Sequence, residues 1–326
     1  MIISQTPLRI SFAGGGTDLN EFWKHEEGQV LSSAVDIYIH VIIKKRFDDL
    51  IVLNYTKRET VDHVSDIKHD LIREALKITG IKNGVEITTP ADIPSEGSGL
   101  GSSSSVAVGL LHALHTYQSK LVSAEQLAQE ACKIEIDILG HPIGKQDQYI
   151  AAYGGLKHIK FKPDNSVIVD DIKISKDAKR VFGSNLLLFY TNMTRKASSI
   201  LSDQKKHTQD HLSILKQMKN QVSDLRAILE GSLPFHSVGR LLHLGWQLKQ
   251  QLSDKISNPE INNMYNIAME NGGLGGKITG AGGGGFLLVY VPRERQDQVR
   301  AALKEYRELP FSLERDGSKI IFNNRR

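Results

Sequence analysis

Three glycine-rich segments constrain the fold of this chain more than any other feature, because each one requires a backbone that side chains would obstruct. Residues 94–105 read PSEGSGLGSSSS and run directly into an apolar helical pattern over residues 102–117. Glycine lacks a Cβ, so its backbone can approach an anion closely, and a helix N-terminus attracts negative charge. The segment predicts a phosphate-binding loop. A flexible Gly/Ser linker is the alternative, but a linker would not normally lead into so strong a helix.

The common nucleotide-binding motifs do not account for these glycines. A Walker A loop needs Gly-x-x-x-x-Gly-Lys-Ser/Thr, but Ile278 follows Gly276-Lys277, and Asn271 occupies the position of the earlier glycine. Residues 280–285 (GAGGGG) match Gly-x-Gly-x-x-Gly, yet they follow a predicted helix and precede a predicted strand, the reverse of the dinucleotide fingerprint. The His-Arg-Asp loop of eukaryotic-type protein kinases is also missing.

Length and composition favour an enzyme of two domains. The chain has 326 residues, more than one compact core usually holds. Lys and Arg number 41 against 37 Asp and Glu, and this small excess without a basic run argues against a nucleic-acid partner. The single cysteine, Cys132, excludes an intrachain disulfide and predicts a buried core residue. Without a signal-peptide pattern or an 18-residue apolar run, we expect a cytoplasmic protein with no membrane partner.

Helical and strand patterns are mixed without a regular alternation, which favours an α+β fold. The predicted strands cover residues 37–43, 50–53, 85–88, 185–190 and 286–291. The predicted helices cover residues 67–79, 102–117 and 124–139, with three more between residues 212 and 272 and a last helix and strand after residue 291. Ser123 and Gln126 form a capping-box pattern. We place the boundary between the domains so that they cover residues 1–183 and 184–326.

Residues 7–18, 94–105 and 277–285 resemble the three motifs of the GHMP kinases, a superfamily named for galactokinase, homoserine kinase, mevalonate kinase and phosphomevalonate kinase. The three segments come in the order and spacing of that family and span nearly the whole chain. One departure lies in the first motif, where residues 13–16 (AGGG) replace the commoner Gly-Glu-His. The substrate side of the pocket is therefore expected to differ from that of galactokinase.

The resemblance implies an N-terminal α/β domain like a ribosomal-protein S5 domain and a C-terminal ferredoxin-like α+β domain, with ATP and a small sugar bound between them. It implies that ATP is held by Gly97, Gly99, Leu100, Gly101, Ser102, Ser103 and Ser104. It also implies a Mg²⁺ ion bound by Ser103 and Glu135, in keeping with the preference of Mg²⁺ for oxygen ligands. Glu135 and Asp137 end a predicted helix, where acids oppose the macrodipole and a bound cation would offset that cost. Asp137 is equally well interpreted as a solvated surface acid.

Residues 140–149 (GHPIGKQDQY) resemble the galactokinase segment that supplies the catalytic aspartate, here Asp147. Arg9 matches the basic residue of the first motif, which pairs with that aspartate in the family. The resemblance implies that Asp147 orients or deprotonates the sugar hydroxyl while Arg9 keeps the carboxylate ionised. The sequence leaves open which of the two roles Asp147 plays.

The segments PLRISFAGGGTDL, LGHPIGKQDQYIAAYGG and TRKASSIL resemble one branch, the bacterial D-glycero-D-manno-heptose 7-phosphate 1-kinases. That branch implies phosphorylation of the anomeric hydroxyl, giving a 1,7-bisphosphate for GDP-heptose synthesis. A phosphorylated substrate needs basic contacts, and our candidates are Arg195 and Lys196, with Lys145 behind them. Ordinary solvated surface charges are the alternative for all three. The other predicted substrate contacts are Thr17, Asp18, Gly282 and Gly283.

Two other functions fit the same motifs. One is a kinase of an unphosphorylated sugar such as fucose or an N-acetylhexosamine. The other is a non-catalytic sugar sensor on the same scaffold, since a fold does not fix a function. The presence of Asp147, Glu135, Ser103 and Arg9 argues against the sensor. The oligomeric state is left unassigned.

Overall fold

The computed structural model describes residues 1–94, 97–194, 197–231 and 234–324, and it has two sheets with helices packed on them, as expected for an α+β fold. The strands are β1 (Ile2–Ala13), β2 (Gly28–Lys45), β3 (Ile51–Asn54), β4 (Arg58–Val61), β5 (Val85–Thr88), β6 (Leu156–Phe161), β7 (Val167–Asp171), β8 (Leu186–Tyr190), β9 (Gly275–Ile278), β10 (Phe286–Tyr290) and β11 (Lys319–Asn323). The α-helices are α1 (Asn20–Trp23), α2 (Asp70–Thr79), α3 (Ser102–Tyr117), α4 (Ala124–Cys132), α5 (Gln146–Tyr153), α6 (Lys176–Ser184), α7 (Ala197–Lys206), α8 (Leu212–Leu229), α9 (Ser237–Gln250), α10 (Pro259–Glu270) and α11 (Gln296–Ala302). Short 3₁₀ helices cover Val64–Asp66 and Arg293–Arg295, and a π-helix covers Lys133–Ile138.

The larger sheet is organised around β2, which pairs antiparallel with β1, with β6 at its start and with β5 at its end. Its strand order is β11-β1-β2-β5-β3-β4, with β6 and β7 branching from β2. The pair of β3 with β5 is parallel. The last strand, β11, returns to pair with β1 at the edge of this sheet. The predicted boundary after residue 183 assigns β11 to the C-terminal domain, although β11 pairs with a strand of the N-terminal domain. The boundary itself stays a prediction.

Helix α3 lies against β1 and β2 and is buried on nearly every side. The sequence predicts one apolar stripe through Val106, Leu110 and Leu114, but the residues between these positions, such as Val108 and Leu111, are also 0% exposed. A helix that is apolar all round belongs inside a protein. Helices α2, α4 and α5 cover the side of α3 that faces away from the sheet. The helix is therefore buried beyond the single apolar stripe that the sequence predicts.

The smaller sheet, in the order β8-β10-β9, lies between two hydrophobic cores. Side chains alternate across a strand, so Leu186 and Leu188 of β8 pack in the first core, while Leu187 and Phe189 pack in the second. The first core also contains β1, β2 and α3. The second is built on Trp246 of α9 and on α10. This sheet therefore joins the two halves of the molecule.

Two predicted helix ends can be compared with the structure, that of α2 and those of the helix over residues 124–139. Gly80 ends α2 with φ 75°, a left-handed conformation suited to glycine. The predicted helix over residues 124–139 is an α-helix only as far as Cys132, after which the chain forms the π-helix. Ser123 caps α4 by accepting from the Gln126 N–H at 3.2 Å, but the Gln126 side chain donates to Glu130. The predicted capping box is therefore only half formed.

Cys132 is a free cysteine that is 8% exposed, as expected of a core residue. Among the helices in the described ranges, none combines the length and the apolar character needed to cross a lipid bilayer.

Candidate active site

The glycine-rich loops of the second motif (residues 94–105) and the third motif (residues 277–285) touch each other through the backbones of Gly99 and Gly280. They are called the second and third loops below. Gly97, Gly99 and Gly101 all have left-handed φ angles, of 73°, 70° and 79°. A Cβ on Gly99 would lie 2.8 Å from the Thr279 carbonyl oxygen, and one on Gly280 would lie 2.7 Å from the Gly99 Cα. Only glycine permits so close an approach. The contact brings the N-terminus of α3, with its unpaired N–H groups, beside the loop between β9 and β10.

The serines at the start of α3 point in different directions. Ser102 and Ser104 are 3% and 2% exposed, and Ser105 donates its hydroxyl to the Pro7 carbonyl at 2.8 Å. The Ser102 hydroxyl lies 3.0 Å from the Ser98 hydroxyl. Ser103 is the exposed member of the run. The predicted phosphate contacts of Ser102 and Ser104 are therefore available through their N–H groups and not through their hydroxyls.

Glu135 is held beside these serines by the π-helix. Its carboxylate accepts from Ser103 at 2.5 Å, from Ser104 at 2.7 Å and from the Gln148 amide at 2.6 Å, and the residue is 0% exposed. A π-turn widens the helix and often occurs at functional sites. Burial raises the pKa of Glu135 above its ordinary value, although the three hydrogen bonds oppose that effect. A hydroxyl and a carboxylate at one point fit the oxygen ligands that Mg²⁺ takes.

Arg9 and Asp147 form a bidentate ion pair. Arg9 Nε donates to Asp147 Oδ1 at 2.7 Å and Nη2 donates to Oδ2 at 2.6 Å, while Nη1 donates to the Gly99 carbonyl at 2.7 Å. The side chains are 6% and 22% exposed. A Cβ on Gly101 would lie 3.1 Å from Arg9 Cγ and 3.3 Å from Asp147 Oδ2. Arg9 thus ties β1, the second glycine-rich loop and the first turn of α5 together.

Asp18 joins the first motif to the start of α5. Its Oδ1 accepts from the Gly16 N–H at 3.0 Å and its Oδ2 accepts from the Gln146 side chain at 3.0 Å. Burial, reinforced by the charge of Asp147, raises the pKa of Asp18. A Cβ on Gly144 would lie 2.0 Å from Asp18 Oδ2, so this position needs glycine. Because Asp18 is 3% exposed, its first role is to brace the turn.

Thr17 is buried, and its hydroxyl is engaged by the backbone. The residue is 0% exposed, and its hydroxyl lies 2.8 Å from the carbonyl oxygens of both Gly14 and Gln29 while accepting from the Gln29 N–H at 3.0 Å. One hydroxyl offers one donor and two acceptor lone pairs, so the backbone uses nearly all of this capacity. That Thr17 contacts sugar hydroxyls stays a prediction, while in this structure its hydroxyl holds the first motif against β2.

The basic residues proposed for a substrate phosphate are only partly described. Lys145 Nζ lies 4.1 Å from the centre of the Trp23 ring and donates to Asn165 Oδ1 at 2.5 Å. Burial lowers the pKa of Lys145. Its ammonium is therefore already engaged by an aromatic face and an amide. Arg195 and Lys196 lie outside the described residues.

The third loop uses part of its own backbone for support. The Gly283 N–H donates to the Ile256 carbonyl at 2.7 Å, and a Cβ on Gly282 would lie 2.9 Å from the same oxygen. The N–H of Gly283, a residue predicted to contact the substrate, is thus already used inside the protein. Lys249 of α9 donates to the carbonyls of Ile278 at 3.2 Å and Gly280 at 2.5 Å, holding the loop from behind.

The chain was also compared with family models and with known proteins. The model of the GHMP kinase N-terminal domain matches residues 63–155, and that of the GHMP kinase C-terminal domain matches residues 226–308. A D-glycero-alpha-D-manno-heptose 7-phosphate kinase of Campylobacter jejuni is 31% identical, over 98% of each chain. The chain belongs to the GHMP kinase family.

Other relatives of this GHMP kinase extend the comparison. A galactokinase of Pyrococcus furiosus is 26% identical, over 94% of this chain and 93% of that protein. The crystal structure of a D-glycero-D-manno-heptose 1-phosphate kinase from Bacteroides thetaiotaomicron has a TM-score of 0.83 at 24% identity, over 100% of both chains. The latter confirms the predicted GHMP kinase fold. The protein is a sugar kinase that uses ATP and acts on a small-molecule sugar.

Three residues of the site carry no role in the sequence analysis. Gln148 donates to Glu135, Gln146 donates to Asp18, and Lys277 lies buried beside the first motif. All three lie inside the segments that resemble family motifs, so the sequence could have singled out these residues. The sequence could not reveal their partners, because each contact joins positions at least 13 residues apart in the chain.

Proposed function

We propose that the protein transfers the γ-phosphoryl group of ATP to the anomeric hydroxyl of D-glycero-D-manno-heptose 7-phosphate. The product would be the 1,7-bisphosphate used for GDP-heptose synthesis, and the expected compartment is the cytoplasm. The single observation that supports this chemistry is the ion pair of Asp147 with Arg9, which lies beside the two touching glycine-rich loops. The name and near-complete alignment of the Campylobacter jejuni relative support the choice of sugar.

Asp147 is suited to receive the acceptor hydroxyl. Arg9 uses one lone pair on each carboxylate oxygen, and a carboxylate has about four such sites. In the proposed step the sugar oxygen forms its bond to the γ-phosphorus as the bond to ADP breaks. Asp147 orients the hydroxyl and accepts its proton, while Arg9 compensates the negative charge before transfer. Most of the catalysis in such a reaction comes from positioning and charge stabilisation.

The nucleotide phosphates would lie at the N-terminus of α3. The residues we assign to ATP are Gly97, Gly99, Leu100, Gly101, Ser102, Ser103 and Ser104, mainly through their backbone. Ser103 and Glu135 would hold Mg²⁺, since they offer an exposed hydroxyl and a buried carboxylate with no cationic partner among the described residues. When bound, the metal neutralises charge on the phosphates.

Arg195 and Lys196 remain our candidates for binding the phosphate that the sugar already carries. Asp18, Gly282 and Gly283 remain candidates for the sugar itself, through rearranged hydrogen bonds or through contact with their backbone. A terminal phosphate carries about two negative charges near neutral pH, and each charge-assisted hydrogen bond is worth roughly 1.5–3 kcal/mol. Two such contacts would give a preference of about 10²- to 10⁴-fold.

A kinase of an unphosphorylated sugar is the second candidate, and the galactokinase relative favours it. The test is a phosphoryl-transfer panel that includes heptose 7-phosphate, the unphosphorylated heptose, galactose, fucose and an N-acetylhexosamine. We expect heptose 7-phosphate to have the highest kcat/KM. Arg195→Ala and Lys196→Ala should reduce that preference while leaving any activity on the unphosphorylated sugar nearly unchanged. An equal or higher kcat/KM on an unphosphorylated hexose would reject the heptose assignment.

A further inference from the structure

Lys277 is a buried cation that the proposed mechanism does not use. It lies on β9 and is 6% exposed. Its cross-strand neighbour on β10 is Leu288, which packs in the first core, whereas the adjacent Ile278 packs in the second. The Lys277 side chain therefore points toward β1, where its ammonium donates to the Phe12 carbonyl at 3.5 Å. This carbonyl belongs to the residue two positions before Gly14, the first glycine of the first motif.

The surroundings of Lys277 are positive. The charged groups that face it are Arg9 from β1 and Lys249 from α9, while β10 presents the apolar Leu288. In the described ranges of the chain, no carboxylate forms an ion pair with its ammonium, and the one hydrogen bond is long. Burial and the charge of Arg9 lower the pKa of Lys277 to about 8. A buried charge without a counter-ion is costly.

Lys249 is a second buried lysine nearby, and it differs from Lys277 in its hydrogen-bond partners. Its ammonium has two backbone carbonyl partners, and its contacts hold the third loop in place. Lys277 lacks such a set. The Ser11 hydroxyl, one residue before the carbonyl that Lys277 contacts, is also buried and has no hydrogen-bond partner among the residues that the structure describes. Ser11 and Arg9 are two residues apart on β1 and so share a face of the strand.

We propose that Lys277 is a further binding residue of the phosphoryl-transfer site, where its ammonium contacts a phosphoryl oxygen. The oxygen belongs either to the nucleotide or to a sugar that already carries a phosphate. The inference rests on the proposed function for its location between the first and third motifs. An arriving anion supplies the counter-charge that the described residues do not.

The first test replaces the ammonium with an apolar chain of similar length, Lys277→Met, using the exposed Lys45→Met at the end of β2 as the control. We expect Lys277→Met to lower kcat/KM by roughly 10- to 100-fold, the worth of one charge-assisted hydrogen bond. Its melting temperature without ligand should equal or exceed that of the wild type, because an unpaired buried charge is removed. Lower activity with lower melting temperature would indicate a structural lysine and overturn the proposal, as would unchanged activity.

The second test measures protons and not turnover. Calorimetric titrations at a pH slightly above 8, in two buffers of different ionisation enthalpy, use a non-hydrolysable ATP analogue with Mg²⁺ in one arm and heptose 7-phosphate in the other. Because a bound anion raises the pKa of Lys277, the wild type should take up protons that Lys277→Met does not. Uptake in the nucleotide arm assigns the contact to ATP, and uptake in the sugar arm assigns it to the substrate phosphate. Identical proton uptake by wild type and variant in both arms would overturn the proposal. Uptake without turnover on any sugar would instead reject the proposed function alone.

Discussion

Asp147 and Glu135 are two carboxylates of one site in contrasting surroundings. Asp147 faces the guanidinium of Arg9 at 2.6 and 2.7 Å, and its side chain is 22% exposed. Glu135 is 0% exposed, and its hydrogen-bond donors among the described residues are two serine hydroxyls and a glutamine amide. Within the described part of the chain, Asp147 has a counter-charge and Glu135 has neutral donors. The first is suited to a neutral hydroxyl and the second to a cation.

The largest expected effect comes from removing the charge of Asp147. We expect Asp147→Asn to lower kcat by about 10²- to 10⁴-fold, the usual worth of a positioned acid–base group, while the fold and ATP binding persist. The measurement is steady-state kinetics alongside nucleotide binding. Asp164→Asn, in an exposed turn, is the matched control and should behave as wild type. Near-normal turnover by a folded Asp147→Asn would remove this residue from catalysis.

The proposed role of Glu135 in binding Mg²⁺ can be tested with two adjacent serines that donate to it. Ser103 is exposed and Ser104 is 2% exposed, although both donate to Glu135. Ser103→Ala should raise the Mg²⁺ concentration needed for half-maximal rate by roughly 10-fold, because it loses a metal ligand. Ser104→Ala should mainly lower the free energy of unfolding, by about 1–3 kcal/mol, because a buried acceptor loses its donor.

Mg²⁺ titrations and chemical denaturation of both variants separate these effects. If Ser104→Ala changes the Mg²⁺ requirement while Ser103→Ala changes only stability, the roles of the two serines are reversed. A Ser103→Ala enzyme that alters the KM for sugar alone would contradict the metal assignment.

The contact of Asp147 with the second loop is tested by comparing two glycines. Gly101 and Gly80 have φ angles of 79° and 75°, but a Cβ would meet Arg9 and Asp147 only at Gly101. Alanine at either position should cost about 1–2 kcal/mol of stability, because the left-handed backbone is strained. Only Gly101→Ala should also lower kcat. Equal kinetics for the two variants, measured beside their unfolding curves, would show that the contact does not position Asp147.

The smallest expected effect concerns pH and the stability of the free enzyme. The pKa of Glu135 is raised from its usual 4.5, so the folded state holds this proton more tightly than the unfolded chain does. Its stabilising contribution is complete below pH 4.5 and is lost as pH rises through the folded pKa. Glu135→Gln should remove this loss, seen as a difference in unfolding free energy between variant and wild type that changes with pH. A difference independent of pH would contradict the raised pKa.

The sequence predicts the parts of this molecule that depend on local patterns. The bounds of α3 and the left-handed end of α2 follow from helical periodicity and from Gly80. The motifs predicted the Arg9–Asp147 pair through resemblance, although 138 positions separate the two residues. The π-helix that carries Glu135 was predicted as ordinary α-helix, because the extra residue in its turn leaves no mark in the apolar pattern.

The remaining differences arise from tertiary contacts. Thr17 was assigned to the sugar, but its hydroxyl is used by the backbone of Gly14 and Gln29, which no spacing rule reveals. The return of β11 to the first sheet is also a long-range pairing, joining Ile2 to Asn323. The burial of Lys277 depends on which face of β9 meets β1, and that choice is made by packing.

The most direct test of the contrast between the two carboxylates is a Mg²⁺ titration of kcat for wild type, Asp147→Asn and Glu135→Gln in parallel. Glu135→Gln keeps an amide oxygen, so a weaker metal site should recover much of its rate in excess Mg²⁺. Asp147→Asn should stay slow at every Mg²⁺ concentration, with a midpoint close to that of the wild type. Recovery of Asp147→Asn by Mg²⁺, or the same midpoint for all three enzymes, would contradict the account.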